Sequence, residues 1–186
     1  MGSNPSYFDS SERNPVEMVS WEDCQEFIKK LNSLGVAPAD FKFRLPTEAE
    51  WEYACRAGTT TAYFWGASLN GNKANCNGNY PYGAFGKGKN LEHTTEVGSY
   101  KANPWGLYDM HGNVWEWCED KYVYYGYGDL NGVQNPVYIA PEGYLRVLRG
   151  GSWDSNAEFC RSANRNGGPT SRRNCVGFRL ALRREF

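Results

Sequence analysis

The sequence predicts an α+β fold with two helices, a small antiparallel sheet and little other regular structure. Three observations carry that prediction. Two stretches open with helix-start signatures and hold apolar residues at helical spacing; two short runs toward the C-terminal end read as strands; and from Thr59 onward turn residues interrupt the chain every few positions.

The first helix starts at Trp21. Ser20 can cap it, Cys24, Phe27, Ile28 and Leu31 recur along one face, and Gly35 ends it. The second follows Pro46. Thr47 and Glu50 form a capping box, Trp51, Ala54 and Cys55 point inward, and Gly58 is the stop. Beyond it, Asn70-Gly71-Asn72, Asn77-Gly78-Asn79 and Gly86-Lys87-Gly88 mark loops tied down by aromatic side chains. Arg146 to Leu148 and Val176 to Leu182 are the expected strands, the second alternating apolar residues with Gly177, Arg179 and Ala181, and the two are expected to pair. Tyr122 to Tyr127 is a dense aromatic run, read either as a loop packed on the core or as a ligand-contacting surface.

A chain of 186 residues suits one domain, spanning residues 1–186. Seven Trp, thirteen Tyr and nine Phe beside 21 Gly supply large rings to bury and sharp turns to bury them with. Twenty basic against 21 acidic residues give a net charge of -1, which makes neither nucleic acid nor an anionic membrane surface an expected partner. No apolar run approaches the roughly 20 residues that cross a bilayer, so membrane insertion is not expected. Met1 to Pro5 show no basic or apolar leader, so no signal peptide is expected, and the compartment stays open. Six widely spaced cysteines without a CxxC pair, and only two histidines, argue against structural zinc. Reduced core thiols are the plainer expectation, one disulfide the next.

Four segments carry a resemblance. They are Asn14-Pro15-Val16 with Val19-Ser20-Trp21; Arg44 to Arg56, reading RLPTEAEWEYACR; Gly106 to Trp117, reading GLYDMHGNVWEW; and Arg149 to Trp153, reading RGGSW, with Gly177-Phe178-Arg179. In this order the chain resembles the formylglycine-generating-enzyme, or sulfatase-modifying-factor, family from about Asn4 to Leu182. The resemblance implies a C-type-lectin-like fold. It also suggests that an N-terminal part of the family domain, some tens of residues, is absent.

The resemblance further implies metals. Glu116, with backbone oxygens of Gly112 and Val114, would hold calcium, a hard cation that takes several oxygens in a flexible loop. The bland reading is that Glu116 accepts hydrogen bonds from an arginine or turn amides, as buried carboxylates do. A second calcium loop would start at Asn75, but its aspartate is not evident. Family enzymes oxidise a sulfatase cysteine to formylglycine with copper held by two cysteines five residues apart. Cys160 can occupy the second position and would be catalytic if the enzyme reading holds. The first position is Ser155, whose hydroxyl is a poor ligand for soft copper, so copper is not expected. In a second register Cys160 is an ordinary core residue facing Cys55, which matches a family half-cystine, and a Cys55–Cys160 bridge is then possible. Asp109 reads as structural and His111 as a loop residue.

What remains is a surface. Asp154, Ser155, Asn156, Glu158, Phe159, Asn164, Asn166, Gly167, Thr170, Ser171, Arg173, Asn174 and Cys175 are the small polar and aromatic types of adaptable binding loops. This composition is similar to the variable segment of diversity-generating-retroelement proteins, which use the same fold. The sequence therefore reads as a noncatalytic module binding a protein or other macromolecular ligand. The alternative is a copper-dependent formylglycine-generating oxidase or a related oxygen-dependent enzyme, its second ligand supplied by Cys175.

Overall fold

The computed structural model describes residues 2–124, 130, 132–134, 136–138 and 145–185. The chain order among them is α1 (Trp21–Ser33), β1 (Phe41–Arg44), α2 (Glu48–Arg56), β2 (Trp115–Lys121), β3 (Leu145–Arg149), a 3-10 turn (Ala157–Cys160), β4 (Asn166–Pro169), β5 (Val176–Gly177) and β6 (Ala181–Arg184). The fold is α+β with limited regular structure, as expected.

Both helices start where their capping residues dictate. Ser20 Oγ accepts from the Asp23 amide at 3.0 Å while Asp23 accepts from the Ser20 amide at 2.8 Å. Thr47 and Glu50 repeat the arrangement at α2. Asp120 of β2 reaches across to accept the Glu48 amide at 2.7 Å, so the sheet itself ties down one of the free amides at the N-terminus of α2. The helix stops at Arg56, with Ala57 in the left-handed region at φ 45° and Gly58 following at φ 89°.

Pairing among the strands departs from expectation. The four-stranded sheet runs β4-β3-β2-β5, and β1 and β6 form a separate two-stranded antiparallel sheet. The expected strand Val176 to Leu182 is thus two strands in two sheets. Val176 and Gly177 lie parallel to Trp115 and Glu116, while Ala181 to Arg184 lie against Phe41 to Arg44. β3 pairs with β2 on one side and β4 on the other, not with the last strands of the chain.

Among the described residues, three apolar clusters sit around this frame. One joins α1 to the sheet through Cys24, Ile28, Trp115, Trp117 and Val176; another joins α2 to it through Trp51, Cys55, Met110, Cys118 and Val147. The third, Tyr63, Leu69, Ala74, Cys76, Ala157 and Cys160, lies under the irregular middle of the chain. A buried ionic network anchors the segment after the 3-10 turn. Arg149, 0 % exposed, donates to Glu52 at 2.5 Å and to the Ser162 and Asn164 carbonyls, and Arg165 holds Glu48 through two bonds of 2.7 and 2.8 Å. Burial of this many charges is tolerable because each is paired. Among the described residues no helix is long and apolar enough to cross a membrane.

Candidate ligand-binding face

Gly150 and Gly151, at φ 96° and 76°, turn the chain sharply as β3 ends. A Cβ on Gly151 would lie 2.5 Å from Cys160 Sγ, so the turn needs a residue without one. Ser152 and Ser155 then lock the turn. Their hydroxyls lie 2.8 Å apart, the Ser152 amide donates to Ser155 Oγ at 3.1 Å, and the Ser155 amide donates to the Ser152 carbonyl at 3.1 Å. Ser155 is therefore a buried turn residue, and its expected place on the ligand-contacting surface is corrected: its hydroxyl is spent inside the loop.

The residues around it do reach the surface. The Asn77 amide donates to the Ser155 carbonyl at 2.9 Å, the Ala157 amide to the Tyr80 carbonyl at 3.1 Å, and the Tyr63 hydroxyl to the Ala157 carbonyl at 2.6 Å. The first two bonds clamp residues 155–157 onto the Asn77 to Tyr82 loop, and the third ties them to Tyr63. The result is a cleft of about 330 Å³ lined by Asn79, Tyr80, Pro81, Tyr82, Asn156 and Glu158. Tyr80 is 58 % exposed, Phe159 42 %, and the Arg161 guanidinium sits 5.1 Å over the Tyr82 ring. Tyr80 and Tyr82 were not among the expected site residues. Nothing in their local sequence pairs them with a segment some eighty positions away.

Other expected residues join less directly. Trp153 Nε1 donates to the Asn174 carbonyl at 3.1 Å, which links the exposed Asp154 to Ser171, Arg173 and Asn174. Thr170 is partly exposed between β4 and this stretch. Asn166, exposed, pairs with Leu148, and Asn164 gives its carbonyl to Arg149, so both belong to the frame as much as to the face. Cys175 is half-buried, its carbonyl accepts the Trp115 amide at 2.8 Å, and burial pushes its thiol up to about 11. Of the aromatic run, Tyr122 packs against Gly167 and Tyr124 is exposed, while residues 125–127 lie outside the described residues.

The cysteines rearrange the expectations about sulfur. Cys55 Sγ lies 3.6 Å from the Ser162 hydroxyl and 3.7 Å from His111 Nε2, not bonded to Cys160. Desolvation pushes the Cys55 thiol up to about 12, so it is no thiolate. His111, expected in a loop, is a core residue. Its Nδ1 donates to the Cys160 carbonyl at 2.7 Å, its Nε2 accepts the Phe64 amide at 3.3 Å, and burial lowers its pKa to about 4. Cys160, also buried, donates its thiol to the Asn156 carbonyl at 3.9 Å. Two thiols five residues apart, the donor set copper would need here, do not exist.

At Glu116 the oxygens are likewise taken. Arg179 donates through Nε at 2.5 Å and Nη2 at 2.6 Å, and Trp51 Nε1 donates at 2.6 Å. The Gly112 amide meanwhile donates to the Gly150 carbonyl at 2.8 Å. Calcium ligated by Glu116, Gly112 and Val114 would have to displace a guanidinium already held by both carboxylate oxygens, so the side chains present do not fit that ion. Among the described residues no three acidic, histidine or cysteine side chains gather at one point.

Residues 2–184 match the sulfatase-modifying factor enzyme 1-like domain. The chain belongs to that family. It is 35 % identical over 179 residues to the formylglycine-generating enzyme of Streptomyces coelicolor, covering 90 % of this chain and 52 % of that protein. It is 41 % identical over 172 residues to the serine/threonine-protein kinase pkn1 of Chlamydia caviae, covering 91 % of this chain but 24 % of that protein. The chain thus spans about a quarter to a half of these relatives. Among solved structures, Treponema denticola variable protein 1 superposes with a TM-score of 0.73 at 30 % identity, covering 100 % of this chain and 79 % of that one. PvdO from Pseudomonas aeruginosa gives the same score at 28 % identity, covering 94 % and 64 %.

Proposed function

We propose that this family member is a noncatalytic binding module whose ligand, a protein or other macromolecule, seats on the cleft between Tyr80 to Tyr82 and Asn156 to Phe159. The observation that carries the reading is Ser155. Where the resemblance calls for a copper thiolate stands a hydroxyl already committed to Ser152, and the remaining cysteine is buried with its thiol on the Asn156 carbonyl. Exposed tyrosines with two χ angles order cheaply and bury well, and Asn79, Asn156, Glu158 and Arg161 add directional polar groups around them. The likeness to Treponema denticola variable protein 1 supports reading this face as one whose residues vary.

One observation favours a second reading, copper-dependent oxidation of the formylglycine-generating type: Cys76 shares a buried cluster with Cys160. Against it, both sulfurs are buried, and the walls of the cleft contain none. Incubation with copper(I), oxygen, a thiol reductant and a cysteine-containing sulfatase peptide separates the two. The binding reading expects the peptide cysteine unchanged by mass spectrometry. Conversion to formylglycine that Cys160→Ser abolishes would overturn it. Screening against peptide and glycan arrays gives the positive arm: hits should disappear with Tyr82→Ala and with Phe159→Ala, and hits that survive both place the ligand elsewhere.

A further inference from the structure

β1 and β6 form a two-stranded sheet, and among the described residues β6 has no second neighbouring strand. The phase of the ladder shows what its outer edge offers. The Phe43 amide donates to Asn32 Oδ1 and the Phe43 carbonyl accepts from Asn32 Nδ2, both at 2.9 Å, so the peptide groups of Phe43 point away from β6 and α1 closes that edge of β1. The Glu185 amide donates to the Asp40 carbonyl at 2.7 Å, which fixes the same alternation from the other end. Leu182, directly opposite Phe43, therefore turns its own N–H and C=O away from β1, toward the outer edge.

Apolar surface runs beside that edge. Phe43 and Leu182 share one face of the sheet, Phe43 packed on the core cluster that Phe27 and Phe178 also cover, and Leu182 45 % exposed. Leu180, just before β6, lines a cavity of about 570 Å³ with Val16, Phe27, Val97 and Phe178. Phe27 and Phe178, their rings 5.5 Å apart, also line a cavity of about 540 Å³. None of these residues lines the cleft at Tyr80 to Tyr82. On the other face of the sheet Lys42 and Arg183 stand opposite each other as like charges. Glu185 lies 2.6 Å from Lys42, whereas Arg183 has no ion-pair partner among the described residues.

We infer that the outer edge of β6 is a strand-addition site, which takes an extended segment of a partner protein with alternating apolar and acidic residues.

Each half of that description answers an observation. An unpaired strand edge is matched by another extended backbone, which accepts the Leu182 N–H and donates to its C=O. Side chains alternate along a strand. Those on the face of Leu182 continue the apolar surface toward Phe27 and Phe178, while those between them lie beside Arg183 and supply the negative charge that Lys42 cannot. A second copy of the chain is the poorer occupant, because β6 against β6 would bring Arg183 and Arg184 of both copies onto one edge, where like charges repel.

The test is fluorescence anisotropy at low salt with the whole chain and two labelled peptides of about eight residues, one alternating Val and Glu, the other Val and Lys. The Val-Glu peptide is expected to bind about fivefold more tightly than the Val-Lys peptide. Arg183→Glu should reverse that order, a result that partial unfolding could not produce. Leu182→Pro removes the outward N–H while leaving the ladder to β1 its bonds, and should abolish binding of the Val-Glu peptide; Leu182→Val, which keeps the N–H, should retain it. Exchange of the Leu182 amide, followed by NMR, should slow when the Val-Glu peptide is added. Failure of the Val-Glu peptide to bind, equal affinity for the two peptides, or binding that Leu182→Pro leaves intact overturns the inference. Light scattering that shows a dimer broken by Leu182→Pro also overturns it, since a second copy would then occupy the edge.

Discussion

Glu116 decides whether the Gly112 to Trp117 loop is held by an ion pair or by a metal. Its carboxylate is 5 % exposed and accepts three hydrogen bonds, two from Arg179 and one from Trp51. Glu116→Ala leaves a guanidinium and an indole N–H without their acceptor. Removing one member of a buried pair costs about 3–5 kcal/mol. The Arg179 side chain keeps 26 % exposure, so water recovers part of the loss and the lower end, about 3 kcal/mol, is expected. For a chain of this size that is about 9 °C in melting temperature. Thermal melts with excess calcium and with a chelator are the assay. The ion pair predicts the same loss in both conditions and no chelator effect on the unsubstituted protein. If chelation lowers the melting temperature of the unsubstituted protein and leaves Glu116→Ala unmoved, calcium holds the loop and the argument from occupied oxygens is wrong.

His111 should make the protein acid-sensitive. Its folded pKa is lowered to about 4, so between that value and its ordinary 6.5 the unfolded chain binds a proton that the folded chain does not. Stability should fall as pH drops through this window, by about 3 kcal/mol in all. His111→Gln, which can still donate to the Cys160 carbonyl and accept from Phe64, should flatten that part of a urea-midpoint-versus-pH curve, and an unchanged slope would assign the sensitivity to other groups. Trp115→Ala, which empties a buried site between α1 and the sheet, should cost roughly 3–5 kcal/mol in urea unfolding, and a cost under about 1 kcal/mol would mean that the ring is not packed as described.

The helices were legible because their start signals are local: a capping residue and its partner lie three positions apart, and both boxes form. β2 was not legible, since Trp115 to Cys118 is buried on both faces and shows none of the alternation that marks a half-buried strand. The alternation from Val176 to Leu182 misled for the opposite reason, running unbroken through a change of sheet. Within the site, Asp154 to Phe159 could be found from residue type, whereas Tyr80 and Tyr82 could not, because the bonds that bring them there join backbones, and backbones carry no sequence signature. Ser155 was read as a contact and is a buried turn residue, its hydroxyl bonded to Ser152. Cys76 gave no signal beyond its presence in a loop rich in asparagine and glycine.

Gly71, Gly78 and Gly88 bring main chain against main chain: a Cβ on Gly78 would stand 2.2 Å from the Lys89 carbonyl oxygen, and one on Gly88 1.8 Å from that of Asn70. The path of this loop is therefore written in its peptide groups, and the exposed Asn72, Lys73 and Tyr80 between them contribute little to it. A designer could randomise those three positions while keeping the three glycines, and the library would display new chemistry on an unaltered outline.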